Sequence, residues 1–312
     1  MEAASTLPWF ENITMLRTEL NCMPHWPKYG NPIINMVSTM EYHGLDYVFG
    51  IYYSFGRYSI KKCLEARDKQ LAHCKEMDST TGLRLAIDTG SYFRDQPFRT
   101  DRCGTRPTDV YIAHDVWKRS RTKWRDIPIP THNYWHPGQP KSAAANDKRC
   151  QRAVHDATFK GQMKNQERVL LWAFNTTPGF AIEMNTKYGS KSERMAALLH
   201  DSRFGLIPAG DGWHSYRLME TMAMGVVPII LSDEWALPFE DILDWSEFSI
   251  RVWLDDIHRL PSIVAEHRDN ACNMSRRVFE MYHRYMANAT QIMKGIQESI
   301  QKAELMHVVA ST

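Results

Sequence analysis

Phe204-Gly205-Leu206-Ile207-Pro208-Ala209-Gly210-Asp211-Gly212-Trp213-His214-Ser215-Tyr216-Arg217-Leu218-Met219-Glu220 reads as a buried apolar run that stops in a glycine-rich loop and restarts as a helix. Strand, loop and helix in that order make half of a β–α–β unit, and in open parallel sheets ligands gather at the carboxyl ends of the strands. The helix is expected over residues 216–224, beginning near Ser215. Its free N–H groups and positive dipole end then face the loop, an arrangement that suits a diphosphate. Arg217 adds a fixed cation in the first turn. Glu220 follows three residues later, about 4.5 Å along the axis and on the same face. Two readings of the pair stay open. Arg217 can meet phosphate while Glu220 accepts both hydroxyls of a ribose, as acidic residues do in dinucleotide folds, or the two form an i,i+3 surface ion pair.

The same alternation continues outward from this segment. Residues 157–161 read as a strand entering a tight turn at Gly161, where glycine lets backbone approach a ligand. A helix follows over 165–174, a strand over 180–184 and a helix over 192–199, then the quoted strand over 204–208 and another over 226–231. Upstream, residues 32–37, 47–53, 83–88 and 110–114 are short β-rich runs. Residues 59–77 form the clearest helix of that half, with Ile60, Leu64, Leu71 and Cys74 at helical spacing. Strands alternating with helices imply parallel sheets, so the expected fold class is α/β with two Rossmann-like, doubly wound domains. The pattern breaks at Ile127-Pro128-Ile129-Pro130, and residues 132–147 have the Pro, Gly, Asn and Ala content of a linker. The expected division is therefore into domains 1–150 and 151–312. A last helix over 275–304 carries Val278, Tyr282, Tyr285, Met286, Ile292, Met293, Ile296 and Ile300 on one apolar face that needs a partner surface.

A chain of 312 residues is long enough for two cores of about 150 residues each. The hydrophobic fraction of 43% leaves no room for a long disordered arm. A formal net charge of +2 is far from the basic excess of a dedicated nucleic-acid binder, so no nucleic-acid partner is expected. Cations and aromatics interleave from Trp117 to Arg125, either as a solvated face or as a contact for an anionic or sugar ligand. The six cysteines, Cys22, Cys63, Cys74, Cys103, Cys150 and Cys272, show no C-x-x-C and no zinc spacing, which reads as buried thiols rather than a disulfide framework. Glycosylation sequons begin at Asn12, Asn175, Asn273 and Asn288. Such triplets also arise by chance and do not establish a secretory route. Residues 1–11 show no signal-peptide pattern, and no segment approaches the roughly 20 apolar residues of a transmembrane helix. The expectation is a soluble, cytoplasmic protein.

Ser215-Tyr216-Arg217 with Glu220, then Gly225-Val226-Val227-Pro228, Leu231-Ser232-Asp233, Leu237-Pro238-Phe239 and Asp244-Trp245, resemble in order and spacing the exostosin family, glycosyltransferase family 47. The resemblance is strong over residues 203–245, with weaker echoes at Phe159-Lys160-Gly161 and Asp126-Ile127-Pro128-Ile129-Pro130. It implies a GT-B enzyme whose two domains face a central cleft, the N-terminal one binding acceptor and the C-terminal one a UDP-sugar, with inversion at the anomeric carbon. The final helix is expected to pack back toward the N-terminal domain. Carried over residue by residue, the resemblance implies that Ser215 and Arg217 hold the diphosphate and Glu220 the ribose. Pro208 and Gly210 would shape the loop beside the uridine, Asp233 would lie close by, and Lys160 and Gly161 would face the phosphates. Xylose, glucuronic acid and galactose lead among the donor sugars, and the acceptor is an oligosaccharide or a glycoprotein glycan. Members of this family usually carry a membrane anchor and act in the Golgi lumen, so that location is implied for a trimmed chain.

No D-x-D triplet occurs in the sequence. Glycosyltransferases that neutralise the departing diphosphate with a metal usually use that triplet. Here the helix N-terminus, Arg217 and Lys160 are expected to do so, with no cofactor and no obligatory divalent metal. Inversion needs a base that takes the proton of the acceptor hydroxyl. Asp88 and Asp115 lead, at the ends of strands 83–88 and 110–114, with His114 beside them and His43 or Asp46 before the second strand. Each also suits a capping or turn role. Trp117, Trp124, Trp135 and His136 fit an acceptor platform or packing between domains. Rival readings are a catalytically silent nucleotide-sugar or glycan-binding module of the same fold, and a nicotinamide oxidoreductase, which the lack of G-x-G-x-x-G disfavours.

Overall fold

The structure is a computed structural model. It describes residues 13–16, 47–52, 83–88 and 110–113 by their backbone, and residues 116, 118, 126–131, 138–185, 192–210 and 212–310 with most of their side chains. Among the described residues two parallel sheets of five strands each organise it, which makes the α/β class a finding. The chain divides into two compact units. One comprises Met1–Pro130, Ala236–Ile242 and Ile292–Thr312, the other Thr131–Trp235 and Leu243–Gln291.

The sheet of the first unit contains β1 (Ile13–Leu16), β2 (Tyr47–Tyr52), β3 (Leu83–Asp88), β4 (Val110–Ala113) and β5 (Asp126–Pro128), side by side in that order. Register brings Tyr52, Asp88, Ala113 and Pro128 level at the carboxyl ends. The run at Ile127-Pro128, expected as a break, is instead the last strand in the order. Proline is tolerated there because an outermost strand need not donate on its free side. The expected strand 32–37 and helix 59–77 lie outside the described residues.

The second unit opens with α1 (Ala143–Arg152), capped by Ser142, whose Oγ accepts from Ala145 N at 3.2 Å. Much of the expected linker is therefore helix, since a cap followed by three alanines outweighs the glycine and proline before it. There follow β6 (His155–Gln162), α2 (Gln166–Trp172), β7 (Phe180–Asn185), α3 (Ser192–His200), β8 (Ser202–Pro208), α4 (Arg217–Ala223), β9 (Val227–Leu231), β10 (Ile250–Arg251), α5 (Leu260–His267) and α6 (Ala271–Tyr285). Its sheet runs β10-β9-β8-β6-β7. Phe159, Phe204, Leu206, Ile229 and Ile230 are fully buried, as expected of parallel strands covered on both faces. Gly225 ends α4 in the left-handed region, φ 65°. From there Gly225 N reaches Met222 O and Val226 N reaches Thr221 O, and a Cβ at this position would collide with Asn146. Glycine meets both demands.

Helices α1 and α6 pack together and are joined by a disulfide between Cys150 and Cys272, Cα atoms 5.6 Å apart. This corrects the reading of all six cysteines as thiols. The partners are 122 residues apart in sequence, so only helix packing brings them together, and closing so long a loop contributes about 5 kcal/mol. Beside the bridge, buried Arg149 donates to Ser202 O at 2.7 Å and Gly225 O at 2.9 Å. Burial lowers its pKa to about 10.

A cut at 150/151 does not describe these units. The second begins at Thr131, and the chain leaves it again over Ala236–Ile242, where Ala236 N bonds Val116 O at 2.9 Å and Phe239 N bonds Pro128 O at 2.7 Å. Phe239, part of the Leu237-Pro238-Phe239 motif, is fully buried with φ 54°. Its ring packs on Gly295 of α7 (Ala289–Ala310), where no larger residue fits. The expected helix 275–304 is thus two helices. Asn288 interrupts it, its Oδ1 accepting from Gln291 N at 3.2 Å to start a new N-terminus. The single apolar face is shared out accordingly, Val278 to Met286 in the second unit and Ile292 to Ile300 in the first.

Candidate functional site

The second sheet, read from its other edge, has strand order 2-1-3-4-5. The chain leaves β6 toward β7 on one side and comes back to β8 on the other. The loops that follow β6 and β8 therefore part, which opens a crevice at their carboxyl ends. Gly161-Gln162 forms one lip and Pro208-Ala209-Gly210 the other. Asn165 ties the lips together. Its Oδ1 caps α2 at Arg168 N, while its Nδ2 donates to Ala209 O at 2.8 Å and to Gly210 O at 3.2 Å. Arg168 repeats the tie one turn later, Nε to Ala209 O at 3.1 Å and Nη1 to Gln162 O at 3.3 Å, with its guanidinium over the Phe159 ring.

Arg217 stands at the start of α4. That helix spans seven residues and starts two residues, little more than half a turn, later than Ser215. Tyr216 is its cap residue and has no capping side-chain bond. Ser215 is buried, and its carbonyl accepts from Leu218 N. The guanidinium donates from Nε to Lys160 O at 2.8 Å and from Nη1 to Glu220 Oε2. One group thereby bridges β6 and α4 across the crevice. The ion pair with Glu220 does form, with both side chains about four-fifths buried, so it is not a surface pair. Among the described residues Arg217 Nη2 and Glu220 Oε1 have no protein hydrogen bond.

Lys160 contributes differently from expectation. Its ammonium bonds Glu183 Oε2 at 2.9 Å, because the two residues are cross-strand neighbours on β6 and β7. Arg194 meets the same carboxylate. Hydrogen bonding from Arg194, with Lys160 adding, holds Glu183 below the ordinary carboxylate range. It is the Lys160 carbonyl that holds Arg217.

The loop after β8 is tight. Gly210 N donates to His214 O at 2.9 Å, and a Cβ on Gly210 would press against that same oxygen. Asp233 lies after β9, on the far side of β8 from β6, where its carboxylate accepts from Leu254 N at 3.1 Å. Burial raises its pKa and the charges of Asp255 and Glu167 push the same way, while Leu254 N–H and Arg251 oppose. Among the described residues no cluster of three or more His, Cys, Asp or Glu is placed to hold a metal ion.

Lys160, Gly161, Pro208, Gly210, Ser215, Arg217 and Glu220 thus gather around one crevice, with Asp233 one strand further along. Asp88 is placed by its backbone alone, as the last residue of β3. His114, Asp115, Trp117, Trp124, Trp135 and His136 lie outside the described residues. Asn165 and Arg168 were not read from the sequence. Their partners are main-chain carbonyls, which leave no mark in residue type.

The family model of the Exostosin GT47 domain matches residues 72–267. This chain belongs to the exostosin GT47 family. The match takes in strands of both units, far more than residues 203–245. The exostosin-family chain is 30% identical over 116 residues to Exostosin-1a of Danio rerio, an alignment that covers 37% of this chain and 16% of that protein. It is 36% identical over 95 residues to the Exostosin-1 homolog of Caenorhabditis elegans, covering 28% and 24%. The aligned part is thus a quarter or less of these relatives' length. Among solved structures, Acinetobacter baumannii MurG overlays with a TM-score of 0.36 at 9% identity, covering 81% of this chain and 84% of that one.

Proposed function

We propose that this exostosin-family protein is an inverting, metal-independent glycosyltransferase that moves a sugar from a UDP-sugar to a hydroxyl of an oligosaccharide or glycoprotein glycan. The observation that carries this reading is Arg217 held at the strand-order reversal by Lys160 O and Glu220. A guanidinium already fixed by two bonds meets a diphosphate without first being ordered, and charge developing on the leaving group is where such preorganisation counts. Glu220 Oε1 is then the acceptor for the ribose hydroxyls. Asn165 and Arg168 keep the lips at fixed spacing.

The acceptor oxygen attacks the anomeric carbon opposite the leaving UDP. Its bond forms as the bond from that carbon to the diphosphate oxygen breaks, and the hydroxyl proton passes to a base. For the base we propose Asp88, with Asp115 and His114, which follow β4 in the sequence, as the alternatives. Trp117, Trp135 and His136 are the proposed acceptor contacts, and xylose, glucuronic acid or galactose the transferred sugar. The absence of a D-x-D triplet supports charge neutralisation by Arg217 rather than by a divalent ion.

A thermal-shift panel of UDP-xylose, UDP-glucuronic acid and UDP-galactose, followed by UDP-release assays with glycan acceptors in EDTA, tests the reading. One donor at a hundred times its Kd should add about 2.7 kcal/mol of stability, with turnover persisting in chelator. Binding without turnover on any acceptor would favour a silent binding module. No donor shift at all would sink the assignment of the site.

A further inference from the structure

Three of the sequons lie among the described residues, and the donor site accounts for none of them. They differ sharply in surroundings. Asn288 sits exposed between α6 and α7. Its Oδ1 is used as the cap of α7, and its Nδ2, the atom a glycan would join, has no hydrogen-bond partner among the described residues. Thr290, two residues on, is exposed. Asn175 lies in the turn between α2 and β7, partly exposed, with its backbone N–H bonded to Trp172 O and no side-chain hydrogen bond among the described residues. Thr176 beside it is exposed and Thr177 partly so.

Asn273 is the contrast. It lies in the first turn of α6, next to the bridged Cys272, with Nδ2 donating to Asn270 and Oδ1 accepting from Arg276. The hydroxyl of its sequon, on Ser275, is fully buried and donates to Gly225 O at 2.6 Å. The same oxygen accepts from Asn146 and Arg149. In the folded α1–α6 joint the Asn273 side chain is exposed, but the Ser275 hydroxyl that its sequon needs is shut away.

The joint also carries the disulfide between Cys150 and Cys272. Such bonds form and persist where thiols are oxidised and are rare in cytosol, which opposes the cytoplasmic expectation. Oxidising lumens are also where sequons meet their transferase. A lumenal location is already implied by the family resemblance; we propose beyond it that the chain is N-glycosylated at Asn175 and Asn288, with Asn273 left bare. In each transfer the side-chain amide nitrogen attacks the anomeric carbon of an oligosaccharide carried on a polyprenyl diphosphate. The nitrogen–carbon bond forms, the bond from that carbon to the diphosphate oxygen breaks, the amide proton goes to a base of the transferase, and polyprenyl diphosphate departs. The proposal is independent of the donor-site reading.

The full chain, given a secretory leader in a eukaryotic host, is digested with peptide N-glycosidase and mapped by mass spectrometry under non-reducing conditions. In an Asn12→Gln background, which removes the fourth sequon, two mobility steps are expected, one lost in Asn175→Gln, the other in Asn288→Gln, and both in the double variant, with Thr177→Ala and Thr290→Ala reproducing the losses. Asn273→Gln should leave the ladder unchanged. Identical mobility with and without the enzyme, or occupancy only at Asn273, overturns the sites. Free thiols at both Cys150 and Cys272 overturn the bridge and with it the structural argument for an oxidising lumen. Chain retained inside the cell is mapped in the same way, so poor secretion does not block the readout.

Discussion

The two sheets are built from similar parts and differ in one step of their order. In the first unit the described strands follow one another across the sheet. In the second, β7 is laid down on one side of β6 and β8 on the other. Connections that all step in one direction leave their loops adjacent, whereas a reversal separates two of them and leaves a crevice. The polar residues follow suit. In the second unit Asn165, Arg168 and Arg217 all bond carbonyls at the crevice. The first unit offers a level row of strand ends that includes Asp88. The proposed function assigns the donor to the unit whose strand order reverses and the base to the unit whose order is sequential.

The largest expected effect tests the first unit's share. Asp88→Asn should lower kcat on the order of 10²–10⁴-fold, the usual worth of a general base, with the UDP-induced thermal shift unchanged. If Asp115→Asn alone shows that pattern, the base is Asp115 instead. Loss of UDP binding in Asp88→Asn would break the division outright.

Next comes the frame of the second unit. Cys150→Ser should cost about 5 kcal/mol of stability, read from denaturant midpoints in oxidising buffer, with donor affinity per folded molecule retained. At the crevice itself, Arg217→Ala should cost about 1.5–3 kcal/mol in donor binding, the range for hydrogen bonds to charged groups. Glu220→Ala should raise the donor KM with the fold intact. Near-normal donor use in both variants would remove the reversal point as the donor site.

The smallest effect concerns the rim after β9. Burial raises the pKa of Asp233, so the fold prefers its protonated form. Below the ordinary carboxylate value of about 3.9 the folded and unfolded states are both protonated and nothing is gained or lost. As pH rises through the raised folded value, ionisation costs stability. Asp233→Asn should therefore give a slightly higher Tm at neutral pH, and the gain should vanish in acid. An equal gain at both pH values would show that packing, not charge, is responsible.

Much of the second sheet is legible in the sequence. β6, β7, β8 and β9 lie within two residues of their expected positions, because strands buried on both faces are short apolar runs punctuated by glycine, proline and polar turns. The misses have specific causes. Pro128 hid β5, since proline argues against a strand unless the strand is outermost. Gly138 and Pro140 hid α1, whose Ser142 cap and alanines were the better signal. Asn288 sits in a run of helix formers and ends nothing by composition, yet its side chain caps a new helix. Leu237-Pro238-Phe239 was read with the donor segment but groups with the first unit, as its bonds to Val116 and Pro128 require.

The sequence by itself determined the α/β alternation, the family motif around Arg217 and Glu220, and the residues that crowd the ends of β6 and β8. These are local properties, because periodicity and turn chemistry act over a few residues. The tertiary structure alone decided the reversal of strand order, the bridge between Cys150 and Cys272, the hold of Lys160 O on Arg217 and the sharing of the last apolar face between two units. Each joins groups distant in the chain, and the energy that selects them comes from burial and from main-chain carbonyls, which are present at every residue and so carry no sequence signal.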